Sequence, residues 1–163
     1  MRAEIIKKSQ DFFKKKFKDS SFVPGETYIP VTGKVLDESD GAALIEASLD
    51  MWLTAGRFAN QFEHELPKVF GKKLSKLTVS GSAANLLAFA TLTSWKLGEA
   101  RIKPGSEVIT VAAGFPTTVA PIVQYGCIPV FVDIDLETHN INEKLIEEAV
   151  SIKTSAIMLA HSL

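Results

Sequence analysis

Three short stretches of this 163-residue chain hold the residue types and spacings that could do chemistry. The first is Ser80-Gly81-Ser82-Ala83-Ala84-Asn85, small residues between a β-type run, Lys76–Val79, and a helix-like run, Asn85–Leu92. Small residues let a ligand approach the backbone closely. Ser80 or Ser82 can cap the helix, whose first N–H groups point outward without partners. Such a helix start favours negative charge, so a phosphate-bearing ligand is one reading and a plain capped turn is the other. The spacing matches neither Gly-x-Gly-x-x-Gly nor Gly-x-x-x-x-Gly-Lys-Ser/Thr, so dinucleotide and P-loop binding are not indicated.

The second stretch, Gly114-Phe115-Pro116-Thr117-Thr118, follows a strand-like run, Glu107–Val111. Phe115 reads either as a core or interface plug or as a ring that stacks on a flat ligand. An aromatic, phosphorylated cofactor would satisfy Phe115 and the Ser82-Ala83 turn together. The third stretch, Asp133 to Asp135, lies at or just past the end of another apolar run, Pro129–Val132. His161 and Ser162 follow the last apolar run, Ala156–Ala160, in the same way.

Other reactive types read as structural. The single cysteine, Cys127, excludes an internal disulfide framework and a multi-cysteine metal site made by this chain alone, and its setting beside a strand reads as a small buried thiol. His64 lies between Glu63 and Glu65 with no second ligand at i+4, which reads as a solvated surface residue. No metal site is expected. The net charge of −1 gives no global case for nucleic acid or acidic membranes. No apolar run reaches spanning length and no secretion signal is legible, so the expected location is cytoplasmic.

These stretches need elements to position them. Residues 2–18 form a basic amphipathic pattern, with Ile5, Ile6, Phe12, Phe13 and Phe17 among six lysines, expected to pack its Phe side on the body or on a second subunit, with a membrane-surface or partner-binding helix as the alternative. Residues 19–37 read as an extended arm punctuated by Pro24-Gly25 and Pro30. The expected organisation is an N-terminal helix and arm over 1–37 and an α/β body over 38–163. Asp37 to Asp40 can start a helix through Leu49, and Phe58, Phe62, Leu66 and Phe70 mark the next. Further helices are expected over 117–124 and from a cap at Asn142 through Val150. Strands separated by helix-bearing crossovers predict a mostly parallel sheet with helices on both faces. Ligands of such sheets bind beyond the C-terminal strand ends, where all three stretches fall.

The chain from about residue 22 to its end also resembles the sugar aminotransferase/dehydratase family of pyridoxal-phosphate enzymes. The resemblance rests on Gly33-Lys34-Val35, Leu53–Phe58, Ser80–Leu87, Pro104–Thr118, Pro129–Asp135 and Ala156–His161. Within the family these blocks look most like the CDP-4-keto-6-deoxyglucose 3-dehydrases of lipopolysaccharide deoxysugar synthesis. The resemblance implies the N-terminal part of an aspartate-aminotransferase-like (fold type I) large domain, working as a homodimer. It implies pyridoxamine or pyridoxal 5′-phosphate as cofactor, with Gly81, Ser82 and Ala83 at the phosphate and Phe115 stacked on the pyridine ring.

For a complete enzyme of that branch, the resemblance implies that the cofactor amine condenses with the 4-keto group of a nucleotide-linked 6-deoxy sugar and that the C3 hydroxyl leaves. A [2Fe-2S] centre and a flavin/iron–sulfur reductase partner would complete deoxygenation. The family's carboxylate at the pyridine nitrogen, its lysine or histidine at the reactive carbon and the cluster cysteines all come after the last motif matched here. Lys96, Lys103, Lys153 and Cys127 match none of them. No catalytic residue is therefore expected within this chain, and no dehydrase turnover from the chain on its own. A nucleotide-sugar aminotransferase of the same family and a non-catalytic α/β module are the alternative readings.

Overall fold

The computed structural model describes residues 1–18 and 21–160, which form two compact units, Met1–Ser75 and Lys76–Leu163. The division drawn at residue 37 is one of chain character; the division by packing falls after Ser75.

The first unit is helical. α1 spans Arg2–Lys16, α2 Glu38–Leu49 and α3 Arg57–Val69. α2 starts on a capping box: the Asp37 carboxylate accepts from the Ser39 and Asp40 N–H groups, and Asp40 accepts from the Asp37 N–H. α1 packs on α2. The contact is close at Gly41, where a Cβ would collide with the Phe13 ring. Phe13 also stacks on Phe17, with ring centroids 5.4 Å apart. Two arginines fasten the helix ends: Arg2 donates to Asp50 at 2.5 Å, and Arg57 donates to Asp50 at 2.8 Å and Glu46 at 2.7 Å. Between α1 and α2 the described residues run without helix or strand, as the proline punctuation anticipates.

The second unit holds a three-stranded sheet of order β2-β1-β3, all parallel, with β1 at Glu107–Val111, β2 at Ile128–Val132 and β3 at Thr154–Ile157. α4 (Gly81–Leu92) precedes the sheet, α5 (Pro116–Gln124) joins β1 to β2, and a 3₁₀ turn, Glu143–Leu145, with the short α6 (Ile146–Ala149) joins β2 to β3. β2 and β3 lie on opposite sides of β1; under the right-handed crossover rule for parallel strands, that order sends α5 and α6 to opposite faces. That is the doubly wound pattern expected from the strand-helix alternation. Phe89, Ile102, Val108, Ile122 and Cys127 form the core under α4 and α5. Gly126, at φ +70°, turns the chain from α5 into β2, and the Gly105 N–H donates to its carbonyl at 2.8 Å.

Three expected boundaries shift. Lys76–Val79 is not a strand: it joins no ladder of the sheet, which runs β2-β1-β3. The last strand is Thr154–Ile157 rather than Ala156–Ala160: its ladder starts at Thr154 opposite Glu107 and ends after Met158, whose N–H donates to the Ile109 carbonyl. The helix expected from Asn142 to Val150 is a single α-turn behind the 3₁₀ turn, although the Asn142 side chain does cap it by accepting from the Lys144 N–H at 3.1 Å.

Candidate functional site

α4 begins at Gly81, inside the small-residue stretch, four residues before the expected run at Asn85. Ser80 is fully extended (φ −165°, ψ 164°) and its Oγ accepts the Ala83 N–H at 3.1 Å. The Thr78 hydroxyl donates to the Ser80 carbonyl at 2.9 Å, and the first intrahelical bond runs from the Ala84 N–H to that same carbonyl. The cap thus takes the Ala83 donor, and the N–H groups of Gly81 and Ser82 remain for a ligand. A Cβ at position 81 would meet nothing within 4 Å, so the approach to the helix start is open. An anion there gains from the aligned N–H groups and from the helix dipole.

Phe115 is the residue before α5, at the C-terminal side of β1. Its ring is 70% exposed, so it is no part of this unit's core. Its carbonyl accepts the Thr118 N–H at 2.9 Å, and Pro116, which has no N–H to leave unpaired, opens the helix. The two helix starts are tied together: Asn85 Nδ2 donates to the Thr117 carbonyl at 3.3 Å. Between them runs a groove of about 190 Å³ lined by Ser82, Ala83, Leu86, Thr117, Ala120 and Gln124, with Pro121 beneath. Asn85 is the positioning residue that sequence reasoning did not single out. Its signal was an amide in the first turns of an otherwise apolar helix, where it must find a partner across the helix pair.

These residues fit a phosphorylated aromatic group. The donors are neutral backbone amides at the start of a 12-residue helix, and an exposed ring sits on the neighbouring loop. The third stretch does something else. Asp135 Oδ1 accepts from the Glu137 and Thr138 N–H groups at 2.8 and 3.1 Å, and these bonds hold its carboxyl below the ordinary carboxylate range. Asp133 is exposed and accepts the N–H of its own neighbour, Ile134, at 2.7 Å. His161 and Ser162 lie outside the described residues.

Neither reactive type outside these stretches builds a centre. Cys127 is buried, with Sγ directed at the Lys103 and Tyr125 carbonyls, and burial pushes its thiol up. It stands alone and does not fit an iron–sulfur ligand set. His64 Nδ1 meets Glu65 at 2.9 Å on the surface, and Glu65 also accepts from Lys68. Among the described residues no group of three His, Cys, Asp or Glu could hold a metal ion. No helix among them is long and apolar enough to cross a membrane.

All 163 residues align at 50% identity with the lipopolysaccharide biosynthesis protein RfbH of Salmonella typhimurium, covering 37% of that protein. A stretch of 143 residues, 88% of the chain, is 54% identical to 31% of the dTDP-4-dehydro-2,6-dideoxy-D-glucose 3-dehydratase of Saccharopolyspora spinosa. The fold matches the E. coli GDP-4-keto-6-deoxy-D-mannose-3-dehydratase solved with bound hydrated PLP, at a TM-score of 0.69 and 37% identity over 78% of this chain and 32% of that one. The chain spans about a third of the length of these relatives. With its parallel α/β sheet, and with residues 35–163 matching the family model, the chain belongs to the DegT/DnrJ/EryC1/StrS aminotransferase family.

Proposed function

We propose that this chain carries the phosphate-holding and ring-stacking part of a pyridoxamine-phosphate-dependent 3-dehydratase acting on a nucleotide-linked 4-keto-6-deoxy sugar. The observation that carries the reading is the pairing of the α4 start with the Phe115 loop through the Asn85–Thr117 bond. The backbone N–H groups of Gly81 and Ser82, with the Ser82 hydroxyl, hold the cofactor phosphate; Ala83 supports the same turn through its bond to Ser80. Phe115 covers one face of the pyridine ring and excludes water from it. When bound, the cofactor supplies an amine that can condense with a keto sugar and a ring that can accept electron density.

The similarity to a 3-dehydratase at 54% identity supports the dehydratase branch, and the similarity to RfbH supports a place in lipopolysaccharide deoxysugar synthesis. The sugar-aminotransferase reading differs at a residue beyond the matched motifs. A homodimer, a [2Fe-2S] centre with its reductase partner, and a cytoplasmic location stay with the proposal on the strength of the resemblance alone. Within this chain the lone, buried Cys127 offers no cluster ligands.

Pyridoxamine phosphate and pyridoxamine, titrated separately against the chain with the Phe115→Ala variant alongside, form the direct test. The reading expects a clear preference for the phosphorylated amine. It also expects Phe115→Ala to weaken binding by about 1–3 kcal/mol, the scale of stacking one heteroaromatic ring on an aromatic side chain. Equal affinity for both amines, or an indifferent Phe115, would overturn it.

A further inference from the structure

Two prolines lie inside helices of this chain, Pro67 in α3 and Pro121 in α5. An α-helix pairs each N–H with the carbonyl four residues back, and proline has no N–H to give. The carbonyls that lose this donor are those of Glu63 and Thr117. A side chain from outside the helix takes each one. Ser75 Oγ, beyond the end of α3, donates to the Glu63 carbonyl at 2.9 Å. Asn85 Nδ2, on α4, donates to the Thr117 carbonyl at 3.3 Å.

The second of these bonds joins the two halves of the cofactor site. Asn85 lies one helical turn beyond Gly81 and Ser82, and Thr117 lies two residues beyond Phe115. Elsewhere the groove between α4 and α5 is lined by small or apolar side chains, with Ala83 and Leu86 on one side and Ala120 and Pro121 on the other. Apolar contact is not directional, so it leaves the register of the two helices loose, whereas a hydrogen bond is directional and fixes it. Pro121 is fully buried, so the helix face that carries it is committed to the interior. The Phe115 ring is 70% exposed, and its place is therefore set by the backbone that carries it.

We infer that Asn85, held by the carbonyl that Pro121 leaves open, sets the specificity of this site: it fixes the span between the phosphate-binding N–H groups and the Phe115 ring. A phosphate ester on a flat ring is then preferred to phosphate alone. Pyridoxamine phosphate carries its phosphate on a short linker from the ring, so both ends are met only when the two helix starts keep one separation. The inference rests on the cofactor reading above. A residue that only satisfied a vacated carbonyl would serve stability and leave this preference untouched.

Pyridoxamine phosphate and inorganic phosphate, titrated calorimetrically into the chain and into Asn85→Leu, Pro121→Ala and the doubly substituted variant, test it. The unaltered chain should bind pyridoxamine phosphate more tightly than inorganic phosphate; if it does not, the cofactor reading itself falls. Given that preference, Asn85→Leu should bind inorganic phosphate as the unaltered chain does, which also reports a folded α4 start. It should lose about 10-fold of the preference for the ring-bearing ester, a share of what stacking one ring provides. Pro121→Ala returns an N–H to the Thr117 carbonyl, so in that background Asn85→Leu should lower the denaturant midpoint less than it does alone. The ring preference should stay lost in the doubly substituted chain, because the helix starts remain untied. That chain carries the same test should Asn85→Leu alone unfold. An Asn85→Leu chain that keeps the full preference, or a preference that returns together with stability in the doubly substituted chain, would overturn the inference while leaving the cofactor reading in place.

Discussion

At the scale of single residues, the side chains that matter most for the site work on the backbone. Ser80 does not reach for a ligand; its Oγ accepts the Ala83 N–H, which fixes where α4 begins and which donors stay open. Ser80→Ala should lower unfolding free energy by about 1 kcal/mol, and Ser80→Gly by only a few tenths, because glycine also suits an N-cap. Denaturant titration of the two variants distinguishes this cap from a hydroxyl that serves only a ligand, for which neither change would matter. Asp50 shows the same economy in the first unit. The Arg57 guanidinium beside it, and then that of Arg2, hold its carboxyl below the ordinary carboxylate range. A group more acidic in the folded chain than in the unfolded one contributes stability above its unfolded pKa, near 3.9, and loses that contribution as pH falls through the folded value. Stability should therefore fall as the pH drops below about 4, and Asp50→Asn should flatten that fall. Denaturant midpoints of the two proteins at neutral and acidic pH measure the difference, and parallel curves would remove Asp50 from the account.

At the scale of elements, close approach decides which helices pair. α1 has the composition of a surface-seeking helix, yet it packs on α2 because Gly41 leaves room for the Phe13 ring. Gly41→Ala should cost about 1–3 kcal/mol through overpacking, although alanine is the better helix former in isolation. A gain in thermal stability instead would mean that the ring swings aside at no cost. In the second unit the order β2-β1-β3 sends consecutive crossovers to opposite faces. Separately, α5 packs on α4, and the Asn85–Thr117 bond joins the starts of the two helices. The position of Phe115 is thus a property of the β1–α5 connection, and its side chain plays no part in holding the connection.

At the scale of the molecule, each compact unit has its own centre. The second is built around Val108, Phe89 and Ile122, all essentially inaccessible to water. Ile122→Ala should lower the stability of this unit by about 2–5 kcal/mol, the range for removing a buried aliphatic side chain, as measured by hydrogen exchange of the β1 amides. Unchanged β1 protection would show that the sheet is held from elsewhere. The chain also exposes large apolar residues, among them Phe131 and Ile157 on the two outer strands of its sheet. These belong to a chain that spans about a third of its relatives.

Much of this was legible in the residues alone. Apolar runs separated by helix-length segments identify a parallel sheet, although in this chain only β1 is buried along nearly its whole length. Ser80-Gly81-Ser82 marks a helix start because only such residues leave N–H groups both capped and approachable. The sequence likewise shows Asp37 and Asn142 as caps, which are local bonds across two or three residues. What depended on distant partners was decided only by the tertiary structure. Lys76–Val79 has strand-forming residues but joins no ladder of the sheet, so it stays irregular. Asp135 lies at a strand end, as a ligand-binding acid would, but its oxygen is taken by backbone N–H groups of its own turn. Asn85 joins the site because a carbonyl 32 residues away comes within 3.3 Å. Composition and spacing describe what a segment can do; which donor meets which acceptor across the fold depends on packing that no local pattern encodes.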